Sequence, residues 1–171
     1  MYRILGNVDA GSQAPDFRAR DVLGRDFNLA DYRGRNNLVL FFYRNSQCQT
    51  CREELTDLAD RYPLISEQDG EVLAISTDGI DVAKNMAVDL HLPYPVISDP
   101  DGNIIKLYGV YDGDMDTAYP AVLLIDKMGV VRFRKVIESL EDLVPATEVV
   151  NKLKDMGAMH GKEPFKSSRF R

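Results

Sequence analysis

Cys48 and Cys51 are the only cysteines of the chain, and they form one C-x-x-C. A structural disulfide framework needs more of them. Zinc usually takes four ligands, and beyond this pair the chain offers only His91 and His160, without paired metal-ligand spacing. The pattern points first to a dithiol that cycles with its disulfide, with a metal half-site and an inert pair as lesser readings. The thiolate is the nucleophilic form of cysteine, so its neighbours matter. Arg52 follows Cys51 and reads either as a solvated helix residue or as a positive charge that favours thiolate. Glu53 and Glu54 oppose a thiolate but suit a helix start, and read as structural. Arg44 is a candidate for steadying a thiolate or a peroxide.

The elements around the pair explain how it would be held. The stretch NLVLFFYRNSQCQTCREEL opens with a continuous apolar run from Leu38 to Tyr43. Such a run reads as a strand buried on both faces, as in a parallel sheet. After Cys51, Leu55, Leu58 and Ala59 recur at helix-face spacing. The cysteines therefore sit where a buried strand feeds a helix N-terminus, whose free N–H groups and dipole favour an anion.

The rest of the chain supplies more elements of the same kind. Residues 1–13 read as an irregular arm. Phe17, Val22 and Phe27 are inward anchors of a hairpin that turns at Leu23-Gly24-Arg25-Asp26. Pro63 stops or kinks the helix after the cysteines. Glu71 to Thr77 is a second buried strand. A helix from Asp81 to about Leu90 carries Val82, Met86, Ala87 and Leu90 on one face. Tyr94 to Ile97 is a short strand, Asn103 to Tyr108 a short helix, and Tyr111 to Ala118 a polar loop. Ala121 to Asp126 and Val130 to Lys135 form a closing hairpin, and Val144 to about Met156 a last helix. Residues 158–171 read as a disordered tail. Strands alternating with helices imply an α/β protein with a central mixed sheet flanked by helices.

Composition narrows the partners. A chain of 171 residues, 44% hydrophobic and 28% charged, reads as one globular domain. A net charge of −6 argues against nucleic acid. No apolar run approaches the roughly 18 residues of a membrane span. The first residues, MYRILGNVDAGSQAPDF, lack a basic region followed by a long apolar core, so no signal peptide is read and a cytoplasmic protein is expected. No cofactor and no metal are expected.

With these elements in order, the chain resembles the peroxiredoxin/redoxin (AhpC-TSA) family of the thioredoxin superfamily over roughly residues 10–157. Ala14-Pro15-Asp16-Phe17 is similar to the family's opening motif, and Leu29 with Asp31, Tyr32 and Gly34 to the segment before its first core strand. Ile97-Ser98-Asp99-Pro100-Asp101-Gly102, followed by Tyr108-Gly109-Val110, resembles bacterioferritin-comigratory-type peroxiredoxins. Leu124-Ile125-Asp126 with Gly129 resembles the terminal hairpin. The resemblance implies a thioredoxin-like fold over 14–157, with an N-terminal β-hairpin, and a thiol-based oxidoreductase.

The site departs from the peroxiredoxin pattern. Peroxiredoxins carry a proline, then a threonine, then the peroxide-reacting cysteine; those positions hold Arg44, Cys48 and Cys51. An arginine usual in peroxiredoxins falls at Pro120, where thioredoxins and cytochrome-maturation reductases have a cis-proline. The body thus resembles a peroxiredoxin and the site a disulfide reductase. That likeness implies that Cys48 attacks and Cys51 resolves. It also implies a cis Tyr119–Pro120 bond that turns the backbone of Tyr119 toward the dithiol, ready to pair with a substrate strand. The rival is a thiol-dependent antioxidant peroxidase, with Cys51 reacting with peroxide and Cys48 resolving. A Sco-like copper-delivery protein is more remote, since those have one more residue between the cysteines. The implied partners are a protein disulfide or a peroxide and a thiol electron donor such as a thioredoxin or glutathione system. Nucleic acid and membrane are not implied. The oligomeric state is open, a dimer included.

Overall fold

The computed structural model of the chain describes residues 8–161. In chain order it contains the hairpin strands β1 (Arg18–Arg20) and β2 (Asp26–Asn28), a 3-10 turn over Leu29–Tyr32, and the strand β3 (Asn37–Phe42). The helices α1 (Gln49–Asp60) and α2 (Tyr62–Glu67) follow, then β4 (Gly70–Ser76), α3 (Ile80–Asp89), β5 (Val96–Ser98) and α4 (Asn103–Leu107). The small hairpin β6 (Tyr111–Asp112) and β7 (Thr117–Ala118) leads to β8 (Ala121–Ile125), β9 (Val131–Val136), a 3-10 turn over Leu140–Asp142 and α5 (Ala146–Gly161).

The central sheet has the order β5-β4-β3-β8-β9. β3 lies in its middle, parallel to β4 and antiparallel to β8. All six residues of β3 are buried. Alternate side chains point to opposite faces of a strand, and both faces are covered. Val39 and Phe41 pack with Leu55, Leu58, Ile65, Met86 and Leu153 of the helices on one side. Leu38, Leu40 and Phe42 pack with Phe17, Phe27, Ile105 and Tyr108 on the other. Fully burying a side chain of this size stabilises by about 1.5–3 kcal/mol, so β3 is anchored against sliding. Its C-terminal end is therefore a fixed point from which the cysteine turn departs.

Proline decides the break after the cysteine helix. α1 stops at Asp60, and Pro63 lies in the first turn of α2, where its missing N–H costs nothing. α5 is tied back to α1, because the Ala146 amide donates to Asp57 Oδ2 at 2.8 Å.

Residues 8–13 form no helix or named strand but are held against β9: Val8 is buried, and Gly11 and Ser12 exchange hydrogen bonds with Val131. Three expectations are corrected. Val82 is 49% exposed, and the buried stripe of α3 begins at Ala83. The loop 111–118 contains the β6–β7 pairing. α5 continues to Gly161, past the expected end at 157, while the remainder of the expected tail lies outside the described residues. No helix among the described residues is long and apolar enough to cross a membrane.

Candidate active site

The turn between β3 and α1 is held at every step. The Tyr43 amide makes the last ladder bond, to Ile75 O at 3.0 Å. Asn45 then organises the turn: its side-chain oxygen accepts from the Gln47 amide at 2.9 Å, and its carbonyl accepts from Cys48 N at 3.2 Å. Ser46 is gripped from two directions. Its amide donates to Asp78 Oδ2 at 2.8 Å, and its carbonyl accepts from Arg52 Nη1 at 3.1 Å. Asp78 is itself fixed in the β4–α3 turn, where its amide donates to Ser76 Oγ and its carbonyl accepts from Ser98 Oγ.

Cys48 then takes the N-cap of α1. Its backbone is extended, and its sulfur accepts a hydrogen bond from the Cys51 amide at 3.2 Å. A capping side chain serves one of the four N–H groups that a helix start leaves without an internal partner. Here the cap is a thiol, so a thiolate at Cys48 faces the positive end of the helix dipole. Cys48 is half-buried, whereas Cys51 is 1% exposed. The two thiols lie within hydrogen-bonding reach of one another. Burial pushes the Cys51 thiol up to about 12; the hydrogen bond with Cys48 and the charges of Cys48 and Glu54 add to this, against an opposing backbone hydrogen bond at Arg44.

The cysteines open onto a cleft of about 390 Å³. It is lined by Arg44, Cys48, Thr50, Cys51 and Glu54 from the first half of the chain and by Pro120, Ile137, Glu138, Ser139, Leu140 and Leu143 from the second. Cys48, Cys51, Arg44 and Pro120 are thus brought together. Arg52 and Tyr119 are not among the lining residues. Arg52 lines a separate cleft with Gln47, Val82 and Asp89, and donates to the Ser46 carbonyl.

The Tyr119–Pro120 bond is trans, as are all peptide bonds among the described residues, which corrects the cis bond that the disulfide-reductase likeness implied. The trans form is the ordinary preference for X–Pro, by about 0.5–1 kcal/mol, and the surrounding ladder accommodates it. The Tyr119 amide donates to Val110 O and the Pro120 carbonyl accepts from Ile137 N, each at 2.8 Å. The Tyr119 N–H is therefore already engaged within the chain.

Glu54, read from the sequence as structural, lines the same cleft as the cysteines. Both carboxyl oxygens are buried without a hydrogen-bond partner among the described residues. Burial, and then the neighbouring Asp57 carboxylate that caps α5, push the Glu54 carboxyl up to about 7. The legible signal was spacing: residues three apart on a helix share a face, which places Glu54 beside Cys51. The Ser46–Asp78 link had no local signal.

Residues 10–134 match the model of the AhpC/TSA family. The chain belongs to the AhpC/TSA family. Among curated relatives, the thiol-disulfide oxidoreductase ResA of Bacillus thuringiensis subsp. konkukian is 33% identical over 125 residues, 72% of this chain and 68% of that one. Alkyl hydroperoxide reductase E of Mycobacterium tuberculosis is 30% identical over 128 residues, 74% of this chain and 84% of that one. Peroxidoxin BcpB of Mycobacterium tuberculosis superposes with a TM-score of 0.80 at 23% identity, covering 88% of this chain and 99% of the other, which bears out the thioredoxin fold. This AhpC/TSA protein is accordingly a thiol-based redox enzyme. The copper-delivery reading finds no support among these relatives.

Proposed function

We propose that the protein is a thiol–disulfide oxidoreductase in which Cys48 is the nucleophile and Cys51 the resolving thiol. The asymmetry of the pair carries this reading: Cys48 is half-buried at the helix cap, and Cys51 is sealed beneath it. The Cys48 thiolate attacks one sulfur of a substrate disulfide, forming a mixed disulfide and expelling the first substrate thiolate, which takes a proton from solvent. Cys51 then loses its proton and attacks Cys48 Sγ. The mixed disulfide breaks, the second substrate thiol leaves, and the Cys48–Cys51 disulfide forms. Two electrons have passed from protein to substrate. Glu54 is the group placed to receive the Cys51 proton, since its carboxyl lies in the same cleft and is balanced between its two forms near neutrality. A thiol donor, such as a thioredoxin or glutathione system, restores the dithiol.

The same asymmetry weighs against the peroxidase, in which Cys51 would have to meet peroxide as a thiolate while 1% exposed and held toward its protonated form. Single mutants separate the two. Cys51→Ser is expected to trap a mixed disulfide at Cys48 and Cys48→Ser to trap none. Rapid oxidation of Cys48→Ser at Cys51 by low-micromolar hydrogen peroxide, read as sulfenic acid by mass spectrometry, would reverse the assignment.

A further inference from the structure

The wall facing the cysteines is built to be touched. The Ile137 amide donates to Pro120 O at 2.8 Å, which ties the wall to the cleft's base. Ser139 and Asp142 form a reciprocal capping box, with Asp142 Oδ2 accepting from the Glu138 and Ser139 amides at 3.0 and 3.2 Å. On this braced ledge Leu140 is 72% exposed, and no large apolar side chain among the described residues is more so. Its apolar surface serves no packing in the chain itself, and it borders a reactive thiol. Glu138 and Glu141 flank it, both exposed, and neither carboxylate joins an ion pair among the described residues. The one acid of the ledge with other work is Asp142, spent on the capping box and on Lys135 at 3.9 Å. An apolar contact ringed by free charges of one sign matches the anatomy of a small protein-recognition patch.

Resting on the reductase reading, we infer that the ledge around Leu140 selects its substrates: polypeptide disulfides in which a cysteine is flanked by an apolar side chain and a lysine or arginine. The apolar residue covers Leu140, and the cation reaches Glu138 and Glu141 while the disulfide lies over Cys48. Rim charges act mainly on encounter and orientation and are screened by salt, so the preference is strongest at low ionic strength.

The test uses the reduced full-length protein and three disulfides. Two are peptides closed by a single disulfide, identical but for two lysines or two glutamates beside a leucine; the third is 2-hydroxyethyl disulfide. Each peptide's kcat/KM is taken relative to that of the small disulfide for the same variant. The wild type is expected to favour the lysine peptide by about tenfold at low salt, two exposed charge contacts each changing sign, and the margin should shrink in 0.5 M salt. E138K/E141K is expected to reverse the order, and Leu140→Ser to lower both peptide ratios severalfold. Equal rates for the two peptides, or a preference that survives E138K/E141K, would overturn the inference while leaving the reductase reading intact. Inactivity toward all three disulfides would overturn both. Conversion of a dimer to a monomer by Leu140→Ser, in sedimentation at micromolar concentration, would give the ledge to a second copy of this chain instead.

Discussion

Asp78 holds the backbone amide of Ser46 at 2.8 Å across a gap of 32 residues in sequence. Ser46 lies two residues before Cys48, so this carboxylate, with Arg52 on the carbonyl side, sets where the Cys48 sulfur stands. Leaving a part-buried amide without its acceptor costs about 1–3 kcal/mol. The turn would then sample positions in which Cys48 no longer caps α1.

Asp78→Ala is accordingly expected to slow iodoacetamide alkylation of Cys48 about tenfold at pH 7, by roughly one unpaired hydrogen bond. Asp78→Asn keeps an oxygen acceptor and should restore most of the rate. A purely electrostatic role predicts instead that both variants speed alkylation, because each removes a nearby negative charge and so favours the thiolate. The two variants, followed by mass spectrometry over a pH series, therefore distinguish positioning from charge.

Glu54 gives a pH-dependent stability with a defined sign. Its carboxyl is raised from 4.5 to about 7 in the folded chain, first by burial and then by Asp57. The folded state binds that proton more tightly than the unfolded one, so the contribution is fully present below pH 4.5 and is lost as pH rises through 7. Glu54→Gln removes the ionisation. It should match the wild type in urea unfolding at pH 4 and be about 1–2 kcal/mol more stable at pH 8, after allowance for the partial exposure of the group. The same variant, with Cys51 in place, should slow resolution of a mixed disulfide at Cys48, since the proposed acceptor of the Cys51 proton is lost. A Glu54→Gln variant that resolves as fast as the wild type would remove Glu54 from the proton route.

The two thiols should also part company in simple alkylation. Cys51 is 1% exposed and its thiol is pushed up to about 12, whereas Cys48 is half-buried at the surface of the cleft. At pH 7 Cys48 should be modified at least about a hundredfold faster, a ratio set by thiolate fraction and access. Peptide mapping after brief iodoacetamide treatment reads the ratio directly. Comparable labelling of both would contradict the assigned roles.

Legibility in the sequence followed how local each feature is. The run from Leu38 to Tyr43 announced a strand covered on both faces, because every position in it is apolar and β3 has no solvent side. The cysteine pair announced its helix cap for the same local reason. Arg52 was left open between a solvated residue and a charge beside the thiols, because adjacency is not proximity on a helix: neighbours in sequence project about a quarter-turn apart, whereas Glu54, three residues on, shares the face of Cys51. Val82 was placed on one face with Met86, Ala87 and Leu90, yet it is Ala83 that completes the i, i+3, i+4, i+7 stripe that packs on the sheet. Pro120 carried its position but not its isomer, which hydrogen bonds to the Val110 carbonyl and from the Ile137 amide surround. The ledge around Leu140 had no periodicity to reveal it, since a capping box and one carbonyl from a distant strand hold it together.

The cleft draws its walls from both halves of the chain, Arg44 to Glu54 and then Pro120 to Leu143, and this has a consequence during synthesis. A ribosome delivers Cys48 and Cys51 well before the strand that completes the other side of β3, and before the ledge that faces them. At roughly 5–20 residues per second, the nascent dithiol waits on the order of ten seconds with neither Pro120 nor Leu140 beside it. During that interval Cys51 has none of the burial that later restrains it, and either thiol is open to oxidants, metals and foreign disulfides. A chain interrupted before Ile137 would keep the redox pair and lose the surface that disciplines it. The motif therefore cannot be moved as a short peptide with its selectivity intact.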